Sequence, residues 1–304
     1  MMCSRYFLLS AVVLLLAANG TLLSAQGTDK TYYTIADALS DSASAKKLSL
    51  RFSDCERLPP SIGHLRLLEY LDLQKNSLQY LPLEIGKLTR LKHLVLGENG
   101  LRRLPLSFTG LTNLEYLQAD KNNLSGLPSG LSKLKKLQTL ELSWNNLASL
   151  DASIGTLQNL VTLGMQHNHL LFLPEQIGRL KNLQFLHLDY NRLNFLPESI
   201  AGLNKLTQLD VSFNSLQMLP SEIGKMSSLK VLNASHNNLT MLPETISELS
   251  NLEMMLLSEN QLRQLPSSIM RLKNLKTLVV VGNPLPKETI QQLIAGMPNT
   301  RIIF

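Results

Sequence analysis

The chain has 304 residues, of which 44% are hydrophobic and 17% charged, with a mean hydropathy of +0.03. That composition excludes wholesale disorder and a multi-span membrane protein. Two cysteines cannot staple a chain of this length, and a net charge of +6 with a pI near 9.3 leaves anionic partners open until the charges are placed. Leucine is the abnormal residue, at 70 positions against 5% aromatics. One dominant apolar shape predicts one repeated environment, so the length does not divide into the two domains that roughly 100–200 residues per domain would suggest.

In chain order, residues 1–25 read as a secretory signal peptide. Arg5 precedes the apolar run Phe7–Ala18, and small residues follow up to Gly27. The run falls short of the ~20 apolar residues a bilayer needs and is interrupted by Asn19-Gly20-Thr21, which predicts cleavage after Ala25 or Gly27, with an uncleaved anchor as the alternative. Cys3 then leaves with the peptide, and Cys55 is the one cysteine of the mature chain. Residues 26–47 are expected to form an N-terminal helical cap, with helix-compatible spacing over Thr34–Leu39.

Residues 48–283 repeat. Asparagine stands at 76, 99, 122, 145, 168, 191, 214, 237, 260 and 283, always 23 residues apart. Around each lies one pattern: Leu71-Asp72-Leu73-Gln74-Lys75-Asn76-Ser77-Leu78 returns as Leu186-His187-Leu188-Asp189-Tyr190-Asn191-Arg192-Leu193. Leu-Pro follows (Leu81-Pro82, Leu196-Pro197), then Ile-Gly-x-Leu (Ile85-Gly86-Lys87-Leu88, Ile177-Gly178-Arg179-Leu180). These residues resemble the leucine-rich repeat family in its 23-residue class, over about eleven turns. The resemblance implies an α/β repeat solenoid, with a curved parallel β-sheet on the concave face and irregular or helical turns on the convex face. The residues support this independently. In Leu-x-Leu, the period of two sends Leu71 and Leu73 to one face of a strand and Tyr70, Asp72 and Gln74 to the other. Leu78, Leu81, Ile85 and Leu88 cover the inner face, and the asparagine amide is expected to satisfy backbone groups of its own and adjacent coils.

Both ends of a solenoid need covers. In the degenerate first turn, Ser53 takes the asparagine position and Cys55 a leucine position, which predicts a buried thiol. Residues 284–304 are expected to be the C-terminal cap: a helix over Lys287–Ala295 with Ile290, Leu293 and Ile294 on one face, then a last strand over Thr300–Phe304. This segment looks like the terminal cap of bacterial secreted repeat proteins, and cysteine-rich caps typical of animal extracellular members are missing. The glycosylation sequons at Asn123, Asn233 and Asn238 point the other way.

Function is expected from the variable positions of the open face. Immediately before the asparagine, five consecutive turns carry Trp144, His167, Tyr190, Phe213 and His236, a ring ladder expected to run some 20 Å at strand spacing, with Phe185 and His187 beside it. Exposed aromatics dominate interface energetics, so this is the candidate protein-binding patch, although rings here also pack simply on one another. Seven acids on the exposed strand columns, among them Glu141, Asp189 and Asp210, outnumber Lys75 and Lys121 and select against acidic partners. Lys87, Lys133, Arg179, Lys225 and Arg271 form a stripe behind, which separates bases from rings and argues against nucleic acid.

Nucleotide, serine-hydrolase and zinc motifs are missing, so no cofactor and no catalysis are expected. His167, His187, Asp189 and Asp210 would point in parallel from a flat sheet instead of converging on a metal, and His93 and His169 read as surface residues. The sequence therefore predicts a monomeric, extracytoplasmic, non-catalytic protein-interaction module without an integral membrane segment after cleavage. An intracellular signalling scaffold of the same class and a cell-surface glycan or polymer binder are the alternatives.

Overall fold

The computed structural model describes residues 30–304, and the expected signal peptide lies outside the described residues. Thirteen strands form one parallel sheet in strict chain order. Strands β1 (Thr31–Tyr32) and β2 (Lys47–Ser49) open it, β3 to β12 recur from Tyr70–Asp72 to Thr277–Val279, and β13 (Arg301–Ile303) closes it. Register joins like to like, Leu71 to Leu94 and Leu163 to Leu186, so the leucines of successive coils stack into buried columns. Leu71, Leu73, Leu78, Ile85 and Leu88 are fully buried, and the same holds coil after coil, which accounts for the leucine surplus. Among the described residues no helix is long and apolar enough to cross a membrane.

The back of each coil is a short 3₁₀ helix, such as Leu83–Lys87 or Glu175–Arg179. Its entry explains Leu-Pro: Pro82, Pro174 and Pro197 stand immediately before the helix with φ between −65° and −69°, the value a proline ring imposes. Where the proline is replaced, Asp151 accepts a 2.8 Å hydrogen bond from the Ser153 N–H and caps the turn instead. The glycine of Ile-Gly-x-Leu marks backbone contact between coils. A Cβ on Gly178 would fall against the Ser199 carbonyl, and one on Gly86 against that of Ser107.

The asparagines bridge coils as the sequence predicts. Asn168 Nδ2 donates to the carbonyls of Leu142 (3.0 Å), Met165 (3.0 Å) and Gln166 (3.3 Å), while its Oδ1 accepts from Leu147 N–H at 2.9 Å. A second amide ladder, unread in the sequence, lines the opposite edge of the sheet. There Asn113, Asn159, Asn182, Asn251 and Asn274 each donate to a carbonyl of the preceding coil at 2.7–2.8 Å.

At the first end, helix α1 (Ile35–Ser40) lies within the segment expected to be the cap. Thr34 caps it by accepting from Asp37 N–H, and β1 pairs with β2 ahead of the repeats, so strand and helix share the covering. Cys55 is half-buried instead of buried, in a first coil that departs from the repeat with left-handed Asp54; burial nevertheless pushes its thiol up. At the other end, α2 (Lys287–Gly296) buries Ile290, Leu293 and Met297, a narrow stripe that leaves Ile294 exposed, contrary to the sequence expectation.

Candidate functional site

The position before each repeat asparagine lies three residues beyond the strand, not on it. Lys75, Glu98, Lys121, Trp144, His167, Tyr190, Phe213, His236 and Glu259 all take φ between 50° and 57°, and Gly282 takes 73°. Left-handed backbone is costly for side chains other than glycine. Because lysine and glutamate adopt it as readily as the rings do, the turn belongs to the scaffold, and the backbone does not call for aromatics at five of these positions.

Those five rings form a continuous stack. Centroids are separated by 3.7, 4.1, 4.1 and 4.0 Å from Trp144 to His236, with interplanar angles of 8–15°. These gaps are shorter than the ~4.8 Å between strands, as expected of side chains that point to the inside of a curve, and the ladder is correspondingly shorter than strand spacing predicts. Stacking occupies both faces of His167, Tyr190 and Phe213, so the column offers ring edges outwards. It is still open to solvent, with Trp144 53% and Tyr190 42% exposed. A groove of about 720 Å³ runs along it, with the buried amides of Asn145, Asn168 and Asn191 in its lining. Asn146, His169 and Arg192 stand across it. His169 thus joins the candidate site, and the signal in the sequence was its place directly after the asparagine.

The remaining candidates sit on the strand face. Glu141, Gly164, His187 and Asp210 are successive register partners at the last position of β6 (Thr139–Glu141), β7 (Thr162–Gly164), β8 (Phe185–His187) and β9 (Gln208–Asp210). The space beside Gly164 is filled by Glu141: a Cβ there would meet Glu141 Cδ at 2.7 Å. Phe185 opens β8 between Thr162 and Gln208, half-buried. Asp189 lies two residues past β8, beside the ladder. Asp210 accepts from Ser212 N–H (3.0 Å), Ser212 Oγ (2.7 Å) and Asn233 Nδ2 (3.0 Å). No group of three or more His, Cys, Asp or Glu among the described residues is arranged to hold a metal. A second, looser ring row, missed in the sequence, joins Tyr70, His93 and Tyr116 at 6.4 and 6.0 Å.

Charge is distributed unequally. Lys75 and Lys121 both lean on Glu98, at 3.8 and 3.9 Å, which uses up the two bases of the open face. The basic stripe stands in the last turn of the 3₁₀ helices, on the back, at Lys87, Lys133, Arg179, Lys225 and Arg271. Burial, then the Asp120 charge, raises Glu141 to about 7, and burial with Asp210 also raises Asp189. Burial lowers His187 and outweighs the opposing pull of Asp210.

A carboxyl raised in the folded state binds its proton more tightly there than in the unfolded chain. Its stabilising contribution is therefore present below about pH 4 and lost as pH rises through about 7. Glu141→Gln is expected to remove part of that loss: urea titrations should show the variant more stable than wild type by about 1–2 kcal/mol at pH 8, and the advantage should vanish at pH 4.

Comparison with known proteins places this architecture. A search of the curated proteins found no match. Among solved structures, a TDR receptor is similar at 32% identity and a TM-score of 0.78, over 91% of this chain and 50% of its own. A chain of the PEPR1-AtPEP1 structure is similar at 35% identity and a TM-score of 0.64, over 75% of this chain and 37% of its own. An internalin from Listeria monocytogenes shares the fold, at 24% identity and a TM-score of 0.63, over 80% and 75%. The chain thus spans half or less of the TDR receptor and PEPR1-AtPEP1 chains. The family description "Leucine-rich repeat region" matches residues 36–122 and 152–238, together more than half of the chain, and "Leucine rich repeat" matches 227–285. With the 23-residue register, the asparagine ladder and the single parallel sheet, these matches establish that the chain belongs to the leucine-rich repeat family.

Proposed function

We propose that this chain is a non-catalytic, extracytoplasmic interaction module that binds a protein partner on its concave face, centred on the ladder from Trp144 to His236. The observation that carries this reading is the stack itself: five rings in near-parallel contact at 3.7–4.1 Å form a rigid apolar surface whose ordering is complete before binding. The backbone would accept lysine or glutamate at the same positions, so the scaffold alone does not account for the rings. Glu141, Asp189 and Asp210 alongside them favour a partner that is not acidic.

Edge presentation favours protein over glycan. A sugar ring packs on an aromatic face, and the faces of the three central rings are taken by their neighbours. One solved relative is a TDR receptor, which supports a recognition role for similar scaffolds. The extracytoplasmic location rests on the signal-like residues 1–25. Fractionation with amino-terminal sequencing tests it; a cytosolic chain starting at Met1 would instead favour the intracellular scaffold. The binding reading is tested by capture from a surface extract on the immobilised protein. Retention should survive enzymatic deglycosylation of the extract and disappear after proteolysis, and the opposite pattern would establish the glycan reading in its place.

A further inference from the structure

The concave floor beside the ladder gathers hydrogen-bond acceptors without donors to match them. Glu141 sends its carboxyl over Gly164, where the next coil has no side chain of its own. His187 and Asp210 follow Gly164 in the register, and Gln166 and Asp189 stand two residues beyond Gly164 and His187 on the same coils. Among the described residues the Glu141 carboxyl takes part in no hydrogen bond or ion pair, and Asp189 draws on its own backbone N–H. Gln166 Oε1 is buried and also without a partner. The three concave positions of each coil from Tyr116 to Ser212 contain no lysine or arginine, and nearby Lys121 leans on Glu98 at 3.9 Å. The scaffold does not ask for this carboxyl. Other coils carry Val95, Gln118 and Leu256 in the same row, and an unpaired charge on a half-buried floor costs stability.

Unpaired acceptors around one place on a binding face call for a cationic donor. We propose that the floor between Glu141 and Asp189 is the seat of an arginine side chain of the protein partner, anchored beside the ring ladder. This rests on the reading of the concave face as the binding face and names a residue that the partner must bring. Arginine suits the seat better than lysine, because its planar fork can give N–H groups to two carboxyls at once and is less strongly hydrated than an ammonium. Gln166 adds a third acceptor by rotation of its side-chain amide. Glu141, Gln166 and Asp189 are all partly exposed, so the seat is reachable from the front. The titratable groups around it are Tyr116, Asp120, His187 and Asp210, with His167 and Tyr190 in the ladder. Burial holds both of these histidines below their ordinary range, so none of these groups brings a positive charge at neutral pH. Burial, and then neighbouring acids, raise Glu141 to about 7 and raise Asp189 as well, so the free protein keeps part of these protons at neutral pH. A guanidinium displaces them. Binding therefore strengthens as pH rises through about 7 and releases protons.

Carboxyl-carbon NMR of the full protein, titrated with N-acetyl-L-arginine amide at an ionic strength held constant with sodium chloride, tests the proposal. The Glu141 and Asp189 signals should move together and saturate, with an affinity at least about threefold higher at pH 8 than at pH 6. Glu141→Gln and Asp189→Asn, which keep the shape of the floor, should each weaken the probe more than about tenfold. N-acetyl-L-glutamine amide, which carries no charge, should leave both signals in place. Equal responses to the two amides would overturn the proposal. So would a response unchanged in Glu141→Gln, or one shared evenly with exposed acids such as Glu175 and Glu244. Tighter binding of N-acetyl-L-lysine amide would overturn the choice of arginine. Failure of the seat and failure of the ladder read differently. A partner lost by Trp144→Ala with Tyr190→Ala and Phe213→Ala, but kept by Glu141→Gln with Asp189→Asn, would uphold the rings and overturn the seat. A partner indifferent to the ring variant and lost by the carboxyl variant would uphold the seat and overturn the ladder.

Discussion

Asn168→Ala should cost about 3 kcal/mol of stability, a large loss for a polar side chain. The amide of Asn168 is only 4% exposed and makes four hydrogen bonds, two within its own coil and two to the preceding one. Truncation strands the Leu147 N–H away from water, at about 1–3 kcal/mol, and leaves the Leu142 and Met165 carbonyls with the Asn145 and Asn191 amides as their remaining donors. Asn168→Asp should be no milder, since it exchanges the donor for a charge aimed at three carbonyl oxygens. Urea unfolding followed by circular dichroism measures both. A loss below about 1 kcal/mol in the alanine variant would mean that the coils hold together without this ladder. The transition should also broaden, because a solenoid is coupled through neighbouring turns and a weak central turn separates its two ends.

Gly178→Ala is the second large effect, at about 3 kcal/mol. The added methyl meets the Ser199 carbonyl oxygen, with the carbonyl carbon at 2.7 Å and Ser199 Cβ at 3.1 Å. Two backbones cannot separate there without pulling the buried Ile177 and Ile200 of successive coils apart. Gly126→Ala supplies the control. Nothing lies within 4 Å of its added methyl, so the same substitution should be neutral or stabilise by about 0.5 kcal/mol through the unfolded chain. Equal losses at the two positions would show that glycine serves turn geometry and not the approach of coils.

Much of the fold was legible because its signals are periodic and local. Leu71 and Leu73 declare a strand face, and Asn76 declares where the chain leaves it, so one coil read correctly fixes the other coils by translation. What remained hidden depends on contact between coils. Nothing local in Gly178 shows that its absent side chain is Ser199's space, and the donors Asn159 and Asn182 look like ordinary surface amides until the preceding coil presents its carbonyls.

The candidate site was legible as a column and misread as a strand. Period-two reasoning carried Trp144 and Tyr190 onto the sheet, whereas the chain has already turned into the left-handed region at these residues. That turn is what brings the rings to 4 Å and consumes their faces. His169 went unread for a related reason: it lies beyond the asparagine, outside the columns that a strand pattern brings to attention.

In the proposed function, recognition belongs to the ringed front and not to the basic back. One titration decides it: the dissociation constant of the captured partner for two variants of matched size, Trp144→Ala with Tyr190→Ala and Phe213→Ala, and Lys133→Ala with Arg179→Ala and Lys225→Ala. The ring variant should bind at least about 100-fold more weakly, as expected when central aromatic anchors are lost, while the back variant stays within about twofold. Unchanged affinity in the ring variant, or a loss confined to the back variant, would contradict the account.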